Sequence, residues 1–181
     1  MKQTDILTEE NNILRKTSEE VKFPLDNKDK KTIDNMIKYL RLSQDEEYAR
    51  EHNIRGGMGL AFVQLGILKR IFVISYLNED GSFTEYTVIN PKIVSYSEEM
   101  IYVEEGEGCL SVINDIDGIV PRRARITVEY FDTEGKKQVA RVREEIAIAF
   151  QHEIDHLNGI LYTDKIDKKN PYKNKENMRA I

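Results

Sequence analysis

The chain has no tryptophan, a single cysteine (Cys109) and only four prolines. One thiol cannot close an internal disulfide, so a disulfide scaffold is excluded and the composition suits a reducing compartment. No internal repeat and no low-complexity tract interrupt the sequence. Nor is there an apolar run of the roughly 20 residues that a membrane span requires, because Lys69 and Arg70 break the most hydrophobic region, Leu60 to Leu77. Residues 1–20 carry Asp5, Glu9, Glu10, Glu19 and Glu20 and lack an apolar block followed by small residues, so they do not read as a secretory signal. The expectation is a cytoplasmic protein with no membrane partner. An excess of 32 acidic over 27 basic side chains, net charge −5, also argues against general binding to DNA-like phosphate backbones.

What remains is 181 residues, 40% of them apolar, enough for one domain with its own core. Ile33, Met36, Ile37 and Leu40 recur at i, i+3, i+4 and i+7, which predicts an amphipathic helix over Asp29 to Leu42. The polar stretch Ser43 to Arg55 leads into Gly56-Gly57-Met58-Gly59, where glycines permit close approaches that a Cβ blocks; a loop or a strand entry is expected there. Strands are predicted at Ile71–Leu77 and Phe83–Ile89 around the turn Asn78-Glu79-Asp80-Gly81, then at Lys92–Tyr96 and Met100–Val103. A second hairpin pairs Arg125–Phe131 with Gln138–Val142. From Glu144 the spacing of Ile146, Ala149, Phe150, Ile154 and Leu157 returns to helical, with Gly159 as its stop. The fold class is α+β: antiparallel sheets packed around this last helix, with the N-terminal helix beside them. Residues 1–164 are expected to form a single domain, and 165–181 a basic C-terminal tail expected to be mobile. From Asp164 onward the charge is +3, from six basic and three acidic residues.

The last helix carries His152-Glu153-Ile154-Asp155-His156. Four residues of helix place the two imidazoles about 40° apart around the axis and about 6 Å along it, so both reach one cation. Glu153 stands beside the first ligand, able to take a proton from water at the metal. A catalytic metal usually has three protein ligands and one open position. The following string fits the extended metzincin pattern until Tyr162 stands where that pattern needs a histidine, which disfavours such a protease. His52, in a polar stretch, reads as a solvated surface residue. Cys109, in Glu107-Gly108-Cys109-Leu110-Ser111, is either a thiolate ligand for zinc or ferrous iron or a buried inert thiol; residue chemistry alone does not choose.

Three blocks, Gly57-Met58-Gly59-Leu60-Ala61-Phe62-Val63-Gln64, Glu107-Gly108-Cys109-Leu110-Ser111 and Gln151-His152-Glu153-Ile154-Asp155-His156-Leu157, together resemble peptide deformylase in order and spacing. The similarity runs from about Thr17 to Asp164 and is closest to the type of low-GC Gram-positive bacteria and mycoplasmas. The resemblance implies a metal held by Cys109, His152 and His156, natively ferrous iron, with zinc, nickel or cobalt able to replace it. It further implies Glu153 as general base and acid, Gln64 and the Leu110 backbone N–H as oxyanion donors, and Gly59 along the substrate backbone. The implied substrates are N-formyl-methionyl nascent peptides, with a transient ribosome contact left open for the basic tail; the protein is expected to be a monomer. Met58 lines the substrate pocket or packs in the core. Glu107 and Arg122 either pair to orient the site or are ordinary solvated charges. Where the family has Ala-Pro this chain has Phe62-Val63, and a Phe62 side chain aimed at the cleft would narrow it. The competing readings are a zinc peptidase that leaves Cys109 unused, a non-catalytic homologue whose metal is structural, and a thiol enzyme with Cys109 as nucleophile.

Overall fold

The protein is described by a computed structural model covering residues 1–181. Three α-helices, α1 (Asn27–Ser43), α2 (Glu46–His52) and α3 (Glu144–Leu157), accompany eight strands. These are β1 (Gly59–Ala61), β2 (Ile71–Leu77), β3 (Phe83–Tyr96), β4 (Met100–Tyr102), β5 (Arg122–Arg123), β6 (Arg125–Phe131), β7 (Lys137–Arg143) and β8 (Arg179–Ala180). The larger sheet has the order β1-β2-β3-β6-β7, antiparallel throughout; the smaller has the order β5-β4-β8. The α+β expectation holds. No helix is long and apolar enough to cross a membrane.

The continuous apolar run of β2 is explained by burial on both faces. Phe72 and Ile74 join Val88, Val128 and Val142 beneath α3, whereas Ile71 and Val73 join Leu60 and Ile89 beneath Ile33, Met36 and Leu40 of α1. Phe150 anchors the α3 side, with its ring edge-on to Phe72 (centroids 5.4 Å apart) and to Tyr86 (5.1 Å). Helix α1 begins earlier than its apolar stripe indicates because the Asp26 side chain accepts the Asp29 N–H at 2.7 Å, capping the first turn.

Three segments differ from the sequence expectation. In the polar stretch Ser43–Arg55, for which the sequence predicts no element, α2 forms with no buried residue, held by the Asp45 cap on Tyr48 N–H (2.9 Å) and ended by Asn53 in the left-handed region. Strands expected separately at Phe83–Ile89 and Lys92–Tyr96 are one strand, β3, whose pairing with β6 shifts register between Ile89 and Lys92. Asn90 makes that irregularity possible, adopting φ 52° while its side chain bonds both backbone groups of Val21 (2.8 and 2.9 Å). Residues 165–181, expected to be mobile, lie folded against the domain. Ile166 is buried, Ile119 N–H donates to the Pro171 carbonyl at 2.9 Å, and β8 pairs in parallel with β4.

Phe62 and Val63 are both fully buried, Phe62 in the core beneath α1 and Val63 in the core beneath α3. The bulk that replaces the family's alanine is thus absorbed by packing and does not narrow the cleft. Phe62→Ala should therefore cost about 3–5 kcal/mol of unfolding free energy, measured in urea.

Candidate metal centre

Three chain segments converge at one end of α3. The helix itself supplies His152, Glu153 and His156, the loop after β4 supplies Glu107 to Ser111, and β1 with the 3-10 turn Phe62–Leu65 supplies Gly59 and Gln64. One donor atom from each of Cys109, His152 and His156 lies within 4.8 Å of the other two. Cys109 Sγ is 3.3 Å from His156 Nε2, and the two imidazole rings are 4.9 Å apart at 70°. The two histidines that share a helix face thus meet the lone thiol, which sits 7% exposed. His52 is elsewhere, stacked on Tyr48 with centroids 3.8 Å apart. Tyr162 packs near His152 (centroids 6.0 Å) and accepts the Ile116 N–H through its hydroxyl.

Behind the three donors lies a buried ionic chain. Arg122, 2% exposed on β5, donates Nε to Glu107 Oε1 at 2.6 Å, its Nη2 to Glu107 Oε2 at 2.9 Å, and its Nη1 to Asp155 at 2.5 Å. Glu107 Oε2 also lies 2.9 Å from His152 Nδ1, so Nδ1–H donates to it and Nε2 is left free to ligate. Lys165 completes the chain at 3.1 Å from Asp155. Burial alone would raise the Glu107 pKa, but the hydrogen bonds and charge of Arg122, helped by His152, outweigh it and bring it to about 2. Glu107 and Arg122 are therefore a buried pair in contact with His152, not two solvated charges.

Glu153 is in the opposite condition. Burial pushes its carboxyl up to about 7 against the opposing charges of His152 and Arg122, and its Oε2 has no hydrogen-bond partner. Burial, and then the charge of His152, hold His156 well below the ordinary imidazole pKa, which keeps it in the neutral form that binds metals. A cysteine sulfur, two imidazoles and an unsatisfied buried carboxyl form a donor set and a proton acceptor that fit a divalent cation with its water.

Gln64 is locked. Its Oε1 accepts the Ala61 N–H at 2.8 Å, and because a backbone N–H can only donate, Nε2 must face the other way, toward Ser111 Oγ (3.0 Å) and Cys109 Sγ (3.9 Å). Gly59 packs so tightly on Glu153 that a Cβ there would stand 2.9 Å from the carboxyl carbon; a Cβ on Gly57 would stand 2.9 Å from Leu110 Cδ1. Both close approaches account for the glycine run. A cavity of about 330 Å³ opens over these groups, and Leu110 and Met58 border it. Met58 both borders this cavity and packs against the core beneath α3.

Asp155, Ser111, Ile148 and Ala149 were not singled out from sequence. Asp155 lay inside the histidine motif, Ser111 beside Cys109 and Ala149 in the apolar spacing of the last helix, while Ile148 had only its neighbours as a signal. Glu107→Gln should weaken metal retention about 10- to 100-fold, read by competition with a chelator. Arg122→Ala, which strands two buried carboxylates, should lower stability by about 3–5 kcal/mol in chemical denaturation.

A family model described as polypeptide deformylase matches residues 3–172. Among curated proteins, the chain is 47% identical over 170 residues to the peptide deformylase of Shouchella clausii, covering 93% of each. It is 45% identical over 168 residues to peptide deformylase 2 of Bacillus subtilis, covering 93% of this chain and 91% of that one. Among solved structures, the peptide deformylase from Thermotoga maritima superposes with a TM-score of 0.70 at 34% identity, over 90% of this chain and 96% of that one.

Proposed function

The chain belongs to the polypeptide deformylase family, a metal-dependent hydrolase that removes the formyl group from the N-terminus of nascent polypeptides, and we propose how its residues divide that work. Cys109, His152 and His156 hold the metal. One juxtaposition carries this reading: three donor atoms within 4.8 Å of one another, beside a buried, unpartnered Glu153 carboxylate on the same cavity. When bound, a divalent cation supplies Lewis acidity that makes hydroxide available near neutral pH.

Glu153 takes the proton from the attacking water and returns it to the departing amine, a role suited to a carboxyl whose pKa burial has raised toward 7. As charge builds on the formyl oxygen, the fixed Nε2 of Gln64 and the Leu110 backbone N–H donate to it. Gln64 needs no rearrangement to do so, since its other end is tied to Ala61. Gly59 lies along the substrate backbone, and Met58 contributes apolar wall to the methionine pocket. The native ion is ferrous iron; zinc, nickel and cobalt suit the same mixed sulfur and nitrogen donors.

The enzyme acts in the cytoplasm as a monomer. Lys165, Lys173, Lys175 and Arg179 of the C-terminal segment each lie within 4.0 Å of a carboxylate, which leaves Lys168 and Lys169 for a transient ribosome contact.

Anaerobically purified, iron-loaded protein should release formate from a formyl-methionyl peptide. Absence of formate would refute the deformylase assignment. Cys109→Ser should lose metal and activity together, whereas a peptidase that leaves Cys109 unused would keep its metal. Gln64→Ala should lower turnover about 100-fold or more. The iron form should lose activity in air faster than the nickel form, because an iron-bound thiolate is open to oxidation; equal lifetimes would argue against iron.

A further inference from the structure

The turn that carries the cysteine is fastened from outside the site. Cys109-Leu110-Ser111-Val112 is closed by the Val112 N–H donating to the Cys109 carbonyl at 3.1 Å. Its second residue supplies the Leu110 N–H, and its third the Ser111 hydroxyl that lies 3.0 Å from Gln64 Nε2. Glu9 grips the exit of this turn at two points. Its backbone N–H donates to the Ser111 carbonyl at 2.7 Å, and its carboxylate accepts the Ile113 N–H at 3.2 and 3.0 Å through its two oxygens. Two residues earlier, the Leu7 N–H donates to the Gln64 carbonyl at 2.8 Å. One short segment therefore ties the backbone of Gln64 to the backbone that follows Leu110. The segment is itself anchored, since Ile6 is buried in the core beneath α1 and Leu7 packs against the core beneath α3.

A main-chain N–H has no rotamer to adjust, so its aim is set by the dihedral angles of the turn that contains it. Donors to a developing oxyanion act only within a narrow range of distance, which makes a fixed turn valuable. Arg55 holds the same loop from the other side through the Val112 carbonyl, but Arg55 also borders the cavity. Glu9 does not border it, so its carboxylate reaches the site only through the backbone. We propose that Glu9 is a positioning residue: by holding Ser111 and Ile113 it keeps the Leu110 N–H aimed at the formyl oxygen beside Gln64 Nε2. The inference rests on the deformylase reading, which supplies that oxygen.

The test is kcat and KM for formate release from a formyl-methionyl peptide, per bound metal, by the metal-loaded wild type, Glu9→Ala and Glu9→Gln, with Glu10→Ala as the control at an exposed neighbour. Glu9→Ala should lower kcat roughly 3- to 10-fold, the size of one hydrogen bond, with KM unchanged. Glu9→Gln keeps an acceptor for the Ile113 N–H and should restore most of the rate, and Glu10→Ala should match the wild type. An unchanged kcat in Glu9→Ala, or a loss that disappears when activity is counted per bound metal, overturns the proposal. A second readout is amide hydrogen exchange of the zinc-loaded proteins. Glu9→Ala should speed exchange at Leu110 and Ile113, and Glu9→Gln should return it toward the wild-type rate. If the wild type releases no formate, the deformylase reading fails, and exchange alone decides whether Glu9 fixes the Leu110 N–H: faster exchange there in Glu9→Ala supports it, and an unchanged rate refutes it.

Discussion

The metal centre depends on a guanidinium buried where a lone charge could not survive. Arg122 is tolerable in the interior only because two carboxylates enclose it, one of them in bidentate geometry. Those carboxylates belong to different segments: Glu107 to the loop that carries Cys109, and Asp155 to the helix that carries both histidines. By binding both, Arg122 sets the separation between the sulfur and the ring nitrogens. Its own position comes from the small sheet, where Arg122 pairs with Ile101 of β4, and β8 closes the other side of β4. The C-terminal segment is therefore part of the scaffold behind the candidate site.

The reading of the fold from sequence succeeded where burial has a period. Helix α1, the β2–β3 and β6–β7 hairpins and α3 all bury a face or both faces, and each left its spacing in the chain. It failed where stability comes from caps and partners. Helix α2 buries nothing, so no apolar stripe marks it, and the only signal is Asp45 followed by two glutamates. The joining of two predicted strands into β3 turns on Asn90 bonding Val21, a partner 69 residues away. The C-terminal segment looked like a solvated tail because its cations were visible and their carboxylates, distant in sequence, were not.

At the site, the histidine motif was legible because helical spacing alone brings His152 and His156 together. Cys109 was not, because its 3.3 Å approach to His156 is a property of two segments 47 residues apart. Only the resemblance to a family singled out the sulfur in advance. The pairing of Glu107 with Arg122 was legible as a question, and burial answered it. Phe62-Val63 shows the converse: a departure from the family pattern that looked functional is one of packing, because the turn that follows β1 directs both side chains into core on either side of the sheet.

The locked amide of Gln64 narrows what evolution can place at that position. The role needs a planar head with an acceptor on one edge for Ala61 and a donor on the other toward the sulfur. Glutamate has the shape but offers two acceptors and no donor toward the Cys109 sulfur. Asparagine has both functions on a stem one methylene shorter, and so cannot touch both sides at once. Glutamine meets both needs at this reach, its acceptor on the Ala61 N–H and its donor toward Ser111 and Cys109.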